Sequence, residues 1–261
     1  MSGIDIKENE ICISFLSGER ISSKLIIGAD GMNSTLRKKA KIKTRTWSYD
    51  QRAFVAGLKT EKFHEYTAWQ LFTPTGPIAL LPFDLMEGSN ISLVWSAEID
   101  YAEKLQKLTQ KEFVKELEEK TEKILGKIDL KTDIRSFPLN QLHAKSYFSE
   151  RIALVGDSAH SFHPLAGQGL NIGLSDVTSL SAVLIKARRS GLDIGSKRTL
   201  KDYERSRKIP NLTMAALMEL FKEGFETSDP WVKLARNFAF NMATKNSTLK
   251  KRVIKEAAGI T

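Results

Sequence analysis

Residues 151–177 run Arg-Ile-Ala-Leu-Val-Gly-Asp-Ser-Ala-His-Ser-Phe-His-Pro-Leu-Ala-Gly-Gln-Gly-Leu-Asn-Ile-Gly-Leu-Ser-Asp-Val. No other stretch constrains the fold so tightly. Ile152 to Val155 form a short apolar run rich in β-formers, of the kind that is covered on both faces of a sheet. Gly156 breaks the run, so Asp157 emerges at the carboxyl end of the strand, where open α/β sheets hold ligands. A carboxylate there can accept hydrogen bonds from ribose or ribityl hydroxyls. Further on, Pro164 fixes φ, while Gly167 and Gly169 let a planar ligand approach the backbone with no Cβ in the way. Leu170, Leu174, Val177, Ser181 and Leu184 then follow helical spacing. The unpaired N–H groups of that helix start, near 167–171, favour negative charge by roughly 0.3–2 kcal/mol.

A strand, polar loop and helix without a ligand would share the outline, but two close glycines followed by Gln168 and Asn171 serve no evident packing purpose. The spacing Gly167, Gly169, Gly173 superficially resembles a dinucleotide fingerprint. It fails in detail, because the third glycine comes one residue late and the preceding loop is too long for a tight strand-to-helix turn. A second segment has the same grammar. Lys24 to Ile27 read as a small strand, Gly28-Ala29-Asp30-Gly31 follow, and Asn33 and Ser34 occupy N-cap positions before a helix over 35–40. Asp30 is thus a second acid at a strand end beside a helix start.

These two segments resemble motifs of the group A flavoprotein monooxygenases with the para-hydroxybenzoate hydroxylase fold. Gly28-Ala29-Asp30-Gly31 through Ser34 and Arg37 is similar to that family's second flavin and pyridine-nucleotide motif, and Gly156-Asp157 to its third. The run from His163 to Gly173, closing with Asp176-Val177, most resembles the branch that hydroxylates ubiquinone precursors. The resemblance implies FAD as cofactor, NADH or NADPH as reductant and dioxygen as co-substrate. It implies cofactor contacts from Asp30, Gly31, Arg37, Gly156, Asp157, Pro164, Gly167, Gln168, Gly169, Leu170 and Asn171, with Asp157 on the ribityl chain. No protein side chain is expected to be catalytic, since the flavin carries the hard chemistry.

Family members also open with a strand, a Gly-x-Gly-x-x-Gly turn and a helix that hold the ADP half of FAD. Nothing in this chain supplies them; its start reads as a polar segment and a hairpin, with Ile11, Ile13 and Phe15 alternating against Cys12, Ser14 and Leu16 before a Ser17-Gly18 turn. The chain therefore looks like the carboxyl-terminal two-thirds of a hydroxylase. A separate polypeptide carrying the missing half-site, a truncation, and a remnant that has lost tight flavin binding all remain open.

Between the two segments, Gln51 to Thr60, Thr67 to Thr73, Ile78 to Phe83 and Ile91 to Ala97 read as strands, followed by helices near 100–108 and 110–125. In the second helix Phe113, Leu117 and Ile124 face inward, and Glu116/Lys120 and Glu119/Lys123 are i,i+4 pairs. The expected architecture is α/β in the α+β sense. An incomplete, Rossmann-like FAD domain (1–45 and 135–190) carries an inserted, mostly antiparallel substrate sheet (46–134), with a helical region over 191–261. The resemblance implies that this sheet forms the substrate pocket, for which Trp69, Phe72, Leu80, Pro82 and Trp95 are candidate walls, with core packing as the competing role.

Composition bounds the remaining classes. At 261 residues with 41% apolar content the chain can bury a true core. Cys12 is the single cysteine, which excludes an intrachain disulfide and fits a buried structural thiol in a reducing cytoplasm. No signal-peptide pattern occurs, and no apolar run is expected to reach the ~20 residues that span a bilayer. His64, His143, His160 and His163 lack partners at metal-ligand spacing, so no metal site is expected. The net charge of +9 is concentrated in Arg37, Lys38, Lys39, Lys41, Lys43 and Arg45 and again between Lys186 and Lys208. No nucleic-acid motif accompanies it. The tail mixes Phe238, Phe240, Met242, Leu249, Val253 and Ile254 with Lys245, Lys250, Lys251, Arg252 and Lys255, a composition suited to weak contact with an anionic membrane surface. Packing against the domain or a second subunit suits it equally. The expected location is cytoplasmic and peripheral at the inner face of the membrane. The leading function is flavin-dependent hydroxylation of an aromatic, polyprenylated ubiquinone precursor; the alternative is a non-catalytic remnant or an interaction component of a lipid-biosynthetic assembly.

Overall fold

The computed structural model describes residues 1–83, 88–162 and 168–226, without the side chains of residues 168 and 221–226. Pro164 and Gly167 lie outside the described residues, as does the whole basic tail. In chain order the elements are β1 (Gly3–Ile6), β2 (Ile11–Ser14), β3 (Arg20–Ser23), β4 (Ile26–Gly28), α1 (Thr35–Lys39), β5 (Thr44–Thr60), β6 (Trp69–Thr73), β7 (Gly76–Pro82) and β8 (Asn90–Glu98). They continue with α2 (Ile99–Lys107), α3 (Gln110–Lys120), β9 (Ile128–Leu130), β10 (Arg135–Ala144), β11 (Phe148–Ser149), β12 (Ile152–Leu154), a 3-10 turn (Gly156–Ser158), β13 (His160–Ser161), α4 (Gln168–Arg189) and α5 (Lys197–Glu226). The chain divides into two units, Met1–Trp47 with Gln141–Thr261, and Ser48–Asn140.

In the first unit β1, β2 and β3 form an antiparallel meander, so the opening segment is three strands rather than a hairpin. Cys12 is a buried thiol on its central strand. A second sheet has the order β11-β12-β4, with β12 and β4 parallel and β4 at its end. Ile152, Ala153 and Leu154 are fully buried, as a doubly covered strand should be, and pack with Leu36, Leu180, Leu200 and Tyr203. Buried Arg151, with φ of 58°, donates to the carbonyls of Lys7, Glu8 and Lys24 and pairs with Asp193 at 2.5 Å, tying the meander to this sheet.

The helix expected from the spacing of Leu170, Leu174 and Val177 is α4, whose buried stripe is Ile172, Asp176, Leu180 and Ala187, whereas Leu170, Leu174 and Val177 are exposed. Both stripes satisfy helical spacing, and α5 covers the buried one. Residues 169–189 are also long and apolar enough to cross a bilayer by length and composition alone, contrary to the reading of the sequence. α4 nevertheless packs on α5 and carries the buried Asp176.

The second unit is an antiparallel sheet in the order β10-β5-β8-β7-β6, with β9 also paired to β5. Its register places Phe54 opposite Trp95 and Trp95 opposite Ile78, Ala56 opposite Leu93 and Leu93 opposite Leu80, and Leu58 opposite Ile91. This face packs with Ala102 and Leu105 of α2 and Phe113 and Leu117 of α3 into one buried cluster. α3 starts with a reciprocal capping box between Thr109 and Glu112. It ends at Lys120 rather than 125, because Thr121 caps it and Glu122 and Lys123 take left-handed backbone conformations. The Glu116/Lys120 pair forms at 3.8 Å, but with Lys123 past the helix end Glu119 pairs with Lys115 instead.

Phe113 touches Phe54 and Trp95 at ring-centroid separations of 5.8 and 5.4 Å, which makes it the peg between helix and sheet. Phe113→Ala is expected to lower the unfolding free energy by about 3–5 kcal/mol, and Thr109→Ala by about 1 kcal/mol. Urea denaturation of the two variants tests this ordering.

Candidate flavin-contacting site

The site is built where the two motif segments meet. Parallel pairing sets Ile26 beside Ile152 and Gly28 beside Leu154, and the Val155 N–H continues the ladder by donating to the Gly28 carbonyl at 3.0 Å. Gly28 has no room for a side chain, since a Cβ there would lie 2.8 Å from Leu154 Cδ2 and 2.9 Å from Leu36 Cδ2. Both strands therefore end together, and each hands over to a turn.

The first turn holds Asp30 and Arg37, both expected on the cofactor. Asp30 Oδ2 accepts the Leu36 N–H at 3.1 Å. Partial burial pushes this carboxyl upward, yet hydrogen bonds from the Ser34 hydroxyl and from the backbone N–H groups of Leu36, Asp30 and Thr35 outweigh it and hold the group below the usual range. Arg37 is 4% exposed and spends its guanidinium on protein carbonyls, those of Ser158 at 2.7 Å and Met32 at 2.6 Å. Burial lowers its pKa, against the opposing charge of Asp30. These two side chains fasten the site's walls; the sequence pattern marks their positions without revealing that the Arg37 guanidinium is turned into protein, whereas Asp30 stays exposed beside the turn.

The second turn, Gly156 to Ser158, presents Asp157. Gly156 has φ of 57° and Ser158 Oγ lies 2.5 Å from the Gly28 carbonyl, so the turn is locked to β4 from below. Asp157 is exposed and lines an open cavity of about 490 Å³ with Ala29, Gly31, Val155, Gly156, Gly169, Leu170, Gly173, Leu174 and Val177. Four of these are glycines. A Cβ on Gly169 or Gly31 would meet nothing within 4 Å, and one on Gly173 would stand 3.4 Å from the Gly156 Cα. The concavity is thus backbone-lined, as close approach by a flat ligand demands. The first turn of α4 begins at residue 168 and directs N–H groups without intrahelical acceptors out of the helix start. Asn171 is half-buried on that turn, and its carbonyl accepts the Ser175 hydroxyl. The exposed stripe of Leu170, Leu174 and Val177 is the apolar flank of the cavity rather than core.

Behind the second turn lies a buried polar network that the sequence reading missed. Asp176, with no exposed surface, accepts the Gly156 N–H at 3.1 Å and His160 Nε2–H at 2.5 Å on Oδ2. Its Oδ1 accepts Arg207 Nε–H at 2.8 Å and Asn211 Nδ2–H at 3.1 Å. Asn211 reaches on to the Tyr147 hydroxyl, which sits 3.0 Å from His143 Nε2. Burial raises the Asp176 pKa, but the His160, Arg207 and Asn211 contacts overcome this and keep it ionised. The available signal was an acid on the apolar stripe of Ile172 and Leu180, where an unpaired charge would be prohibitive. Among the described residues no cluster of His, Cys, Asp and Glu could hold a metal ion.

The five candidate pocket walls divide by sheet face. Leu80 and Trp95 are fully buried in the helix-covered core of the second unit, which leaves them no surface for a ligand, and Trp69 packs against the same core. Phe72 is opposite Pro77 in the register, on the other face, and is exposed; Pro82 is half-buried. Alternation alone could not show which face the helices take.

The family model described as FAD binding domain matches residues 14–214. The 3-demethoxyubiquinol 3-hydroxylase of Escherichia coli K12 is 37% identical over 257 residues, which cover 98% of this chain and 63% of that protein. The ubiquinone hydroxylase UbiL of Rhodospirillum rubrum is 37% identical over 242 residues, covering 93% and 56%. The zebrafish (Danio rerio) mitochondrial ubiquinone biosynthesis monooxygenase COQ6 is 35% identical over 277 residues, covering 93% and 56%. The chain thus spans between 56% and 63% of the length of these relatives. Among solved structures, p-nitrophenol 4-monooxygenase PnpA of Pseudomonas putida shares the fold with a TM-score of 0.79 at 19% identity, over 99% of this chain and 65% of that one.

Burial, helped by the charges of His160, Lys208 and Arg45, lowers the His143 pKa to about 4. An unfolded histidine titrates near 6.5. Between these values the unfolded chain binds the extra proton, so the stability present above pH 6.5 is lost as pH falls toward about 4. The loss is on the order of a few kcal/mol. His143→Gln is expected to flatten this limb of the stability profile between pH 6.5 and 4, as measured by urea denaturation at stepped pH.

Proposed function

Because this chain belongs to the FAD binding domain family, we propose that it is the flavin-contacting and substrate-facing portion of an FAD-dependent aromatic hydroxylase acting on a ubiquinone precursor. The observation that carries this reading is the glycine-floored cavity in which Asp157 and the start of α4 converge. The names of the relatives, a ubiquinone biosynthesis monooxygenase, a 3-demethoxyubiquinol 3-hydroxylase and a ubiquinone hydroxylase, support the substrate class. The residues fit the group. Asp157 is an exposed acceptor for ribityl hydroxyls, and Gly31, Gly156, Gly169 and Gly173 leave room for a flat ring system. FAD, when bound, supplies the redox chemistry, taking electrons from NADH or NADPH and activating dioxygen toward an electron-rich ring. The chain's own part is positioning and electrostatics. The α4 start stabilises negative charge on the ligand, and Leu170, Leu174 and Val177 keep the flank dry. Pro164, Gly167 and the Gln168 side chain belong to the same proposed cofactor set. Phe72 is the proposed contribution to the substrate pocket, since Trp69 and Pro82 share the sheet face of Leu80 that the helices cover.

The adenine half of the cofactor requires a strand, Gly-x-Gly-x-x-Gly turn and helix that this chain does not contain. We assign that part to a separate polypeptide or to a longer form of the protein. Two observations support this: the fraction of the relatives' length that is spanned, and the position of β4 at the end of its sheet with Ile27 48% exposed. Such an edge can accept another strand. A weak attraction to an anionic membrane surface belongs to the same reading and rests on the basic composition.

Flavin fluorescence titration with the amino-terminal segment supplied tests the proposal. Asp157→Ala is expected to raise the FAD dissociation constant about tenfold or more through lost charge-assisted hydrogen bonds. Gly169→Leu should block binding while leaving the melting temperature close to wild type. Unchanged affinity in both variants would remove the site assignment, and flavin binding without hydroxylated product would favour the non-catalytic alternative.

A further inference from the structure

We propose that Asp176 is the positioning residue of the cofactor site, setting through the Gly156 amide the turn that carries Asp157; the proposal rests on the reading that Asp157 meets the flavin. Asp176 never reaches the cavity, since its side chain has no exposed surface. Its Oδ2 is the acceptor for the N–H of Gly156, the residue immediately before Asp157. Gly156 adopts φ of 57°, a conformation in which glycine costs nothing but which offers many alternatives to an unheld glycine. A bond to an ionised acceptor selects one of them. The acceptor is itself held on every side. His160, one residue past the turn's end at Ala159, binds the same Oδ2, while Arg207 and Asn211 of α5 bind Oδ1.

The geometry of these donors separates this arrangement from simple core filling. Arg207 also reaches Asn211 Oδ1 at 2.7 Å, so the two α5 side chains brace each other as well as the carboxylate. They flank Pro210, the proline inside α5. Proline has no N–H to offer the carbonyl one turn back, so the backbone here is locally freed from the helical ladder. α4 supplies both the carboxylate and, through Gly169, Leu170, Gly173 and Leu174, one wall of the cavity. The Gly156 bond therefore fixes the distance between the two walls that the ligand must bridge. A neutral side chain of the same shape cannot accept from four N–H groups in this pattern, because one of the two terminal atoms of asparagine is itself a donor.

Nitrogen-15 NMR of the labelled full chain tests the coupling without any cofactor. In the wild type the Gly156 amide is expected to be protected from hydrogen exchange. In Asp176→Asn it should exchange at least about tenfold faster while the amides of Ala153 and Leu154 stay protected. A wild-type Gly156 amide that exchanges freely, or one equally protected in the folded variant, would overturn the proposal. Should Asp176→Asn not fold, Asn211→Ala keeps the carboxylate and removes one donor; it is expected to shift the Gly156 resonance, and an unmoved resonance counts against the idea. Where FAD binds with the amino-terminal segment supplied, Asp176→Asn and Asp157→Ala should each weaken it at least tenfold, with the double variant no worse than the more severe single one. Additive losses would make Asp176 a purely structural residue. If the wild type does not bind FAD although the Gly156 coupling is present, the flavin reading fails and the positioning of the turn by Asp176 stands.

Discussion

The parallel pairing of β4 with β12 is the constraint on which the site depends. Three residues on each side bring together segments more than a hundred positions apart in the chain. Short parallel pairs are weak on their own. This one is reinforced at its carboxyl end, where Ser158 Oγ approaches the Gly28 carbonyl and Arg37 donates to the Ser158 carbonyl. Those contacts hold the two turns as one object. The cavity-lining residues are left with little to do but stand where they are put.

A division of labour among charged groups follows. Arg37 is turned into protein, and the exposed Asp30 accepts the Leu36 N–H, so both fix α1 to the turn; Asp157 lines the cavity. Asp176 holds the turn from behind, at the centre of a network that runs to Tyr147 and His143. Buried charges are expensive, and this network is satisfied at each oxygen of Asp176. The depressed pKa values of Asp176 and His143 have different origins: the contacts of His160, Arg207 and Asn211 overcome burial and keep the acid ionised, whereas burial itself keeps the imidazole neutral above about pH 4.

Much of this was legible in the residues because each step is local. The apolar run 152–155, the glycine at 156 and the acid at 157 mark a buried strand and its exit, and Ser34 caps α1 where expected, accepting the Arg37 N–H at 2.9 Å. The long-range partners were not legible. On α4 two apolar stripes have helical spacing, and only the packing of α5 decides that Ile172, Asp176 and Leu180 go inward. On the second unit's sheet, alternation identifies two faces but not the one that α2 and α3 cover, which is why Leu80 and Trp95 read as pocket candidates and are core. Arg37 shows the same limit in one side chain: the position is marked by sequence, and the direction of its guanidinium is set by the carbonyls of Met32 and Ser158.

The proposed flavin has its middle at the junction of β4, β12 and α4 and its far end on residues outside this chain. Hydrogen–deuterium exchange of the chain with its amino-terminal complement, with and without FAD, measures this directly. Added protection is expected in peptides covering 28–37 and 153–176. Protection that appears instead at the groove of the second unit lined by Val55, Gly57, Lys131, Thr132 and Arg135, with none at Gly156 or Gly173, would contradict it.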